Sequence, residues 1–168
     1  MLVKEAIRKE IEENSLVENH CHLDTQLQPN GIDLTVSGVY EFKEEGSLDF
    51  SNSERSLPES EEIQPVKENE DDKYGWWKLD KGVYKIIANE KINLPNDMVG
   101  VFFTRTSLLR MGCYTQHGLI DSGFKGNMEF ILVVGENGLN LKQNARVCQL
   151  TFEKVSETES YQGVYSSE

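Results

Sequence analysis

From residue 31 to residue 154 the chain is a series of short β-rich runs broken by polar turns, a pattern that few folds accommodate. Residues 31–40 (GIDLTVSGVY) alternate apolar and polar side chains, as a half-buried strand does. Residues 82–88, 99–104, 127–134 and 146–154 are further β-rich runs. Leu94-Pro95-Asn96-Asp97, Gly135-Glu136-Asn137-Gly138 and Lys142-Gln143-Asn144-Ala145 separate them with turn chemistry. Helical spacing occurs once, where Val3, Ala6, Ile7 and Ile11 share one face of residues 3–14. The pattern predicts an all-β sandwich or barrel with a short N-terminal helix, and argues against a βαβ fold.

A length of 168 residues suits a single domain that buries its own core, spanning 1–168. Residues 44–75 are rich in Ser, Glu and Asp and read as an acidic surface insertion, flexible in part. Residues 156–168 read as a C-terminal tail able to order over a ligand. Three cysteines, an odd number without CxxC spacing, argue against a disulfide framework and for a reducing compartment. The charged start MLVKEAIRKEIEENS lacks a secretory h-region, and no apolar run approaches a membrane span. A soluble cytoplasmic protein without a membrane partner is expected. The net charge of −12 speaks against a nucleic-acid partner. Between residues 105 and 125, however, Arg105, Arg110 and Lys125 surround a single acid, Asp121, which suits a compact anion such as a nucleotide phosphate.

Most familiar catalytic motifs are missing. His20-Cys21-His22 offers only two side chains on one face of an extended chain, too few for a zinc site. Walker A, GxGxxG, GxSxG and the HxE…PCxxC deaminase signature are absent, Ser107 has no His partner in sequence, and a lone His117 reads as structural. Three segments remain. Asp33 follows a tight turn in QPNGIDLTV, and Arg105-Thr106-Ser107-Leu108-Leu109-Arg110 offers hydroxyls and two guanidinium groups suited to phosphate oxygens. In GLIDSGFKG, Gly118, Gly123 and Gly126 permit close approach to a ligand, Asp121 supplies a carboxylate and Phe124 a flat apolar face.

In order, QPNGIDLTV, RTSLLRMG, GLIDSGFKG and ARVCQLTF resemble four motifs of the trimeric dUTPase and dCTP deaminase superfamily, over most of the chain. RTSLLRMG and the N-terminal helix lean towards the deaminases and their archaeal dUTPase relatives. The resemblance implies a distorted jelly-roll (β-clip) fold and a homotrimer with shared active sites, binding a deoxynucleoside triphosphate with Mg²⁺. It further implies that Arg105, Thr106 and Ser107 bind phosphate, with Arg110 as a further phosphate or intersubunit contact and Gln149 reaching in from a neighbouring subunit. The backbone of Gly118, Leu119 and Ile120 would read the pyrimidine edge, and Phe124 would pack on the deoxyribose. Asp121 would hold the 3′-hydroxyl and orient the attacking water, while Asp33 would support the metal through water.

The superfamily divides between pyrophosphate removal from dUTP and deamination of dCTP. Its deaminases resemble one another in a glutamate five residues beyond the last glycine of the third motif, where this chain has Ile131. Glu129 lies two residues earlier, and a strand bulge would be needed to bring it there; its other reading is a pocket-rim or intersubunit salt bridge. dUTP hydrolysis is therefore the expected activity. dCTP deamination, alone or alongside it, is the alternative, and an inactive nucleotide-sensing relative is a third reading. The tail YQGVYSSE lacks the Gly-rich fifth motif of dUTPases and resembles a shortened deaminase tail, with Ser160 in place of a lysine and Val164 in place of a glutamine. Closure would then fall to Tyr161, Gln162 and backbone groups.

Overall fold

The computed structural model describes residues 1–165. The single expected helix is α1 (Lys4–Asn14), followed by β1 (Val17–Glu18), a one-turn α2 (Leu23–Gln26), β2 (Leu27–Gln28) and β3 (Gly31–Phe42). Next come β4 (Ser60–Glu62), β5 (Trp76–Leu79), β6 (Gly82–Asn93), β7 (Met98–Thr104) and a second one-turn helix, α3 (Thr106–Leu109). β8 (Tyr114–Gln116), β9 (Lys125–Val134), β10 (Leu139–Lys142) and β11 (Arg146–Lys154) complete the chain. Each β-rich run seen in the sequence is a strand.

The main sheet runs β7-β11-β3-β6-β9-β8, with β1 against β6 and β2 and β4 against β3. Its two ends meet. The Thr104 hydroxyl on β7 donates to the Thr115 carbonyl on β8 at 3.0 Å and accepts from the Thr115 amide at 3.0 Å. A bridge between Gly100 and Ile120 extends the closure. The result is the expected all-β distorted jelly roll, curled almost into a barrel. A two-stranded sheet of β5 and β10 sets Leu79 opposite Leu139 and Trp77 opposite Leu141.

Alternation fills the interior. On β9, Met128, Phe130, Leu132 and Val134 turn inward while Lys125, Asn127 and Glu129 face outward. Ile7 and Ile11 seat α1 on the barrel, where Leu2 N–H donates to the Phe152 carbonyl at 2.7 Å. Full burial of such side chains contributes about 1.5–3 kcal/mol each.

Three strand pairings depart from regularity, among them β3 with β6, where the register shifts between Val36 and Gly38. Along β6, the register with β9 shifts between Ile87 and Lys91, so Ala88, Asn89 and Glu90 lie opposite the single residue Met128 of β9. Along β11, a shift between Arg146 and Cys148 re-aims the Arg146 side chain. The acidic insertion has more structure than its composition implies. It contains β4 and bridges pairing Ser47 with Ser56 and Val66 with Trp76. Asp49 accepts from the Ser51 hydroxyl and from the Glu54 and Ser51 amides, which hold its carboxyl down at about 2.

Candidate active site

The third motif is held in place from three sides. Ile120 and Gly100 exchange two backbone hydrogen bonds (3.0 and 3.1 Å), and the Ile120 side chain points into the core. Leu119 and Asp121 on either side are thereby left facing outward. The Asp121 carbonyl accepts from Phe124 N–H at 3.2 Å, and the turn needs Gly123 at φ +77°. A Cβ at Gly123 would lie 2.7 Å from the Ser160 backbone, and one at Gly126 would lie 2.9 Å from the Phe124 ring. These two glycines serve close packing. Gly118 differs, since a Cβ there would meet only open space, so its backbone is accessible to a ligand.

Around this turn lies a cavity of about 600 Å³, large enough for a nucleoside. Gly118, Leu119, Ile120, Asp121, Phe124, Glu129 and Tyr161 line it, as the sequence leads one to expect. Phe102, His117, Asn127, Met128 and Tyr165 line it too, and none of these is evident from motif reading. Asn127 alone carries a sequence signal, because period-two alternation puts it on the face of Glu129. His117 stacks on Phe102 with centroids 4.1 Å apart and lies 4.6 Å from Phe130. Burial in this aromatic setting lowers its pKa from 6.5 to about 4, leaving a neutral imidazole near pH 7.

The tail is strapped over the turn. Thr158 N–H donates to the Asn96 carbonyl, the Ser160 hydroxyl to Asn96 Oδ1 at 2.7 Å and Tyr161 N–H to the Ser122 carbonyl at 2.9 Å. Tyr161 meets Phe124 edge-on at 5.7 Å. Gln162 does not join the lining. Its amide turns back to the Ser160 carbonyl, and the Ser160 hydroxyl holds the tail to Asn96. Ser166, Ser167 and Glu168, the end of the notional lid, lie outside the described residues.

The second motif faces a different, smaller cavity of about 200 Å³ lined by Gln28, Asp33, Thr104, Arg105, Thr106, Ser107 and Gln149. Arg105 caps α3 in an extended conformation, with Thr106 and Ser107 in its first turn. Its Nε lies 2.9 Å from Asp33 Oδ2, and the bulge on β11 brings Arg146 Nη1 within 3.3 Å of the same oxygen. Burial pushes the Asp33 carboxyl up, and the two arginines oppose that shift. Asp33 therefore holds Arg105 and Arg146 in place at the edge of this cavity. Arg110, at the end of α3, is exposed and borders neither cavity. The two cavities share no residue: Asp121 lines the larger and Arg105 the smaller.

Among the described residues no group of three or more His, Cys, Asp or Glu side chains could hold a metal ion. A cation at this site fits the donor set only if it arrives with its own oxygen ligands, as Mg²⁺ on a triphosphate does.

Residues 1–155 match the family model for dCTP deaminase-like proteins. The chain belongs to the dCTP deaminase-like family. It is 40% identical over 156 residues to a probable deoxyuridine 5′-triphosphate nucleotidohydrolase of Methanococcoides burtonii, covering 91% of this chain and 88% of the relative. The corresponding Archaeoglobus fulgidus protein is 39% identical over 170 residues, covering 100% and 96%. The deoxyuridine 5′-triphosphate nucleotidohydrolase of Methanocaldococcus jannaschii is 34% identical over 143 residues, covering 84% and 88%. Among solved structures, the 2′-deoxycytidine 5′-triphosphate deaminase of Agrobacterium tumefaciens superposes with a TM-score of 0.68 at 18% identity. That match covers 91% of this chain and 47% of the deaminase, so the chain spans about half its length and shares its fold. Within this dCTP deaminase-like fold no helix of the described residues is long and apolar enough to cross a membrane.

Proposed function

We propose that the protein hydrolyses dUTP to dUMP and pyrophosphate. The observation that carries this reading is the make-up of the larger cavity. Asp121, Phe124 and the open backbone at Gly118 line it, whereas Ile131, in place of the deaminase glutamate, does not. The names of the archaeal relatives agree.

In this reading the backbone from Gly118 to Ile120 holds the pyrimidine edge, and Phe124 packs on the deoxyribose. Asp121 holds the 3′-hydroxyl, positions a water and takes its proton. The water oxygen bonds to the α-phosphorus as the bond to the bridging oxygen breaks, and pyrophosphate leaves with that electron pair. Arg105, Thr106, Ser107 and Gln149 hold the phosphates and offset their developing charge. Mg²⁺, when bound, supplies charge neutralisation on the triphosphate.

The separation of the cavities within one chain supports a shared site, in which the Arg105 cavity of one subunit faces the Asp121 cavity of the next. Three copies arranged head to tail close such a ring. A second reading, dCTP deamination, draws on Glu129, whose carboxylate shares the cavity with Asp121. The register of β9 with β8 runs without a shift from Ile131 to Val133, and the irregularity falls on the β6 side.

Incubating the protein with dUTP and with dCTP separately tests the reading. Pyrophosphate from dUTP without ammonia from dCTP is expected, and ammonia release would establish the second. Asp121→Asn should lower turnover by about 10²–10⁴-fold while retaining nucleotide binding. Tight dUTP binding by the unmodified protein without turnover in Mg²⁺ would identify a sensing relative instead.

A further inference from the structure

Glu90 is a fully buried carboxylate with no cation among its hydrogen-bond partners. Leaving such a charge in an interior is costly unless donors surround it. Three donors do. Thr35 N–H reaches Oε2 at 2.9 Å, while the Thr35 hydroxyl and Gln26 Nε2 reach Oε1 at 2.6 and 2.7 Å. The irregular stretch of β6 between Ile87 and Lys91 places Glu90 here. The Glu90 carboxylate takes the Thr35 N–H, standing in for the backbone acceptor that a regular ladder would offer.

The clamp acts two residues along β3 from Asp33. Gln26 uses its second N–H to hold the Asp33 carbonyl at 2.9 Å, so a single amide joins Glu90 to the backbone of the acid that fixes Arg105. Thr35 is also the cross-strand partner of Arg146, the other guanidinium on Asp33. Asn89, from the same bulge, donates to the Thr35 hydroxyl and to Asn144 Oδ1, both at 2.9 Å, at the turn leading into Arg146. The network thus grips β3 and the turn into β11, two of the strands that line the Arg105 cavity, and nothing in the proposed chemistry touches it directly.

We propose that Glu90, through Thr35 and Gln26, is a positioning residue for the phosphate-binding cavity, setting the placement of Asp33, Arg105 and Arg146. The inference rests on the reading of that cavity as the triphosphate site. Loss of the clamp weakens the grip on phosphates, whereas the base cavity, built from the 118–124 turn and β9, keeps its form.

Glu90→Gln and Thr35→Val, each checked for folding by circular dichroism, serve as the test, with Thr35→Ser as the conservative control. Binding of dUTP, of deoxyuridine and of inorganic tripolyphosphate with Mg²⁺ is measured calorimetrically, alongside steady-state kinetics. Glu90→Gln and Thr35→Val should weaken tripolyphosphate binding and lower kcat/KM for dUTP about tenfold, with deoxyuridine binding unchanged. Thr35→Ser should behave as wild type. Folded variants with unchanged tripolyphosphate affinity overturn the inference, as does a parallel loss of deoxyuridine, which marks a general structural role. Should Glu90→Gln fail to fold, the contrast between Thr35→Val and Thr35→Ser decides alone. A wild-type protein that binds deoxyuridine but neither tripolyphosphate nor dUTP overturns the phosphate reading of the cavity and the inference with it.

Discussion

His117 carries a consequence for pH. Its ring lies flat on Phe102 at 11° between planes, and its Nε2 is buried without a hydrogen-bond partner. The folded protein therefore resists protonating it until about pH 4, while an unfolded histidine takes up a proton near 6.5. Between those values the unfolded chain binds more protons, so stability falls as pH drops from 6.5 towards 4 and is unaffected above 6.5. This one side chain should remove about 1–2 kcal/mol between pH 7 and pH 5. His117→Phe, which keeps the aromatic stack, should flatten that dependence in denaturant titrations at the two values. Equal losses in variant and wild type would show that other groups govern the acid limb. At this scale the sequence was legible where chemistry is local. Asp121, Phe124 and Arg105 could be picked from their motifs, but the partners of Asp33 and Glu90 come from strands far away in sequence. A buried Glu90 reads from sequence as one more polar residue.

Strands were legible in proportion to their regularity. Arg146–Lys154 emerges with the limits its pattern implied, whereas β6 continues five residues past 88, through Asn89, Glu90 and Lys91. Burial still alternates through this stretch, but a buried position is filled by the polar Glu90, so the apolar-polar pattern that sequence reading depends on is lost. β5 and β10, four residues each, are too short to show a period, and only their mutual pairing makes them strands. The tail is the element most open to test. Its course over the 121–124 turn depends on Gly123, where φ of +77° and a Ser160 backbone 2.7 Å from the notional Cβ both oppose a side chain. Gly123→Ala should cost about 1–2 kcal/mol in backbone strain alone. Because relief requires the tail to lift, it should also expose residues 156–165 to proteolysis and raise the KM for nucleotide. A variant with wild-type stability and an equally protected tail would mean that Ser160 and Tyr161 do not hold the strap.

For the whole molecule the separation of the two cavities is the governing fact. Arg105, Ser107 and Gln149 line one and Asp121 and Phe124 the other, and a hydrolase that needs both must bring them together between chains. Arg105→Ala alone should remove the phosphate grip from every site, and Asp121→Asn alone should remove the base from every site. Each homogeneous protein should be nearly inactive. Co-expression of the two variants has a different outcome if sites are shared. A site is then intact whenever the chain giving Asp121 carries the arginine lesion and its neighbour, giving Arg105, carries the aspartate lesion. For random assembly of equal amounts that occurs at about one site in four, so activity should return to roughly a quarter of wild type. If one chain supplies both groups to its own site, every site carries a lesion and mixing restores nothing. Because each parent protein is inactive, any recovered pyrophosphate release comes from mixed assemblies, and sizing the co-expressed protein by light scattering gives the number of chains in them.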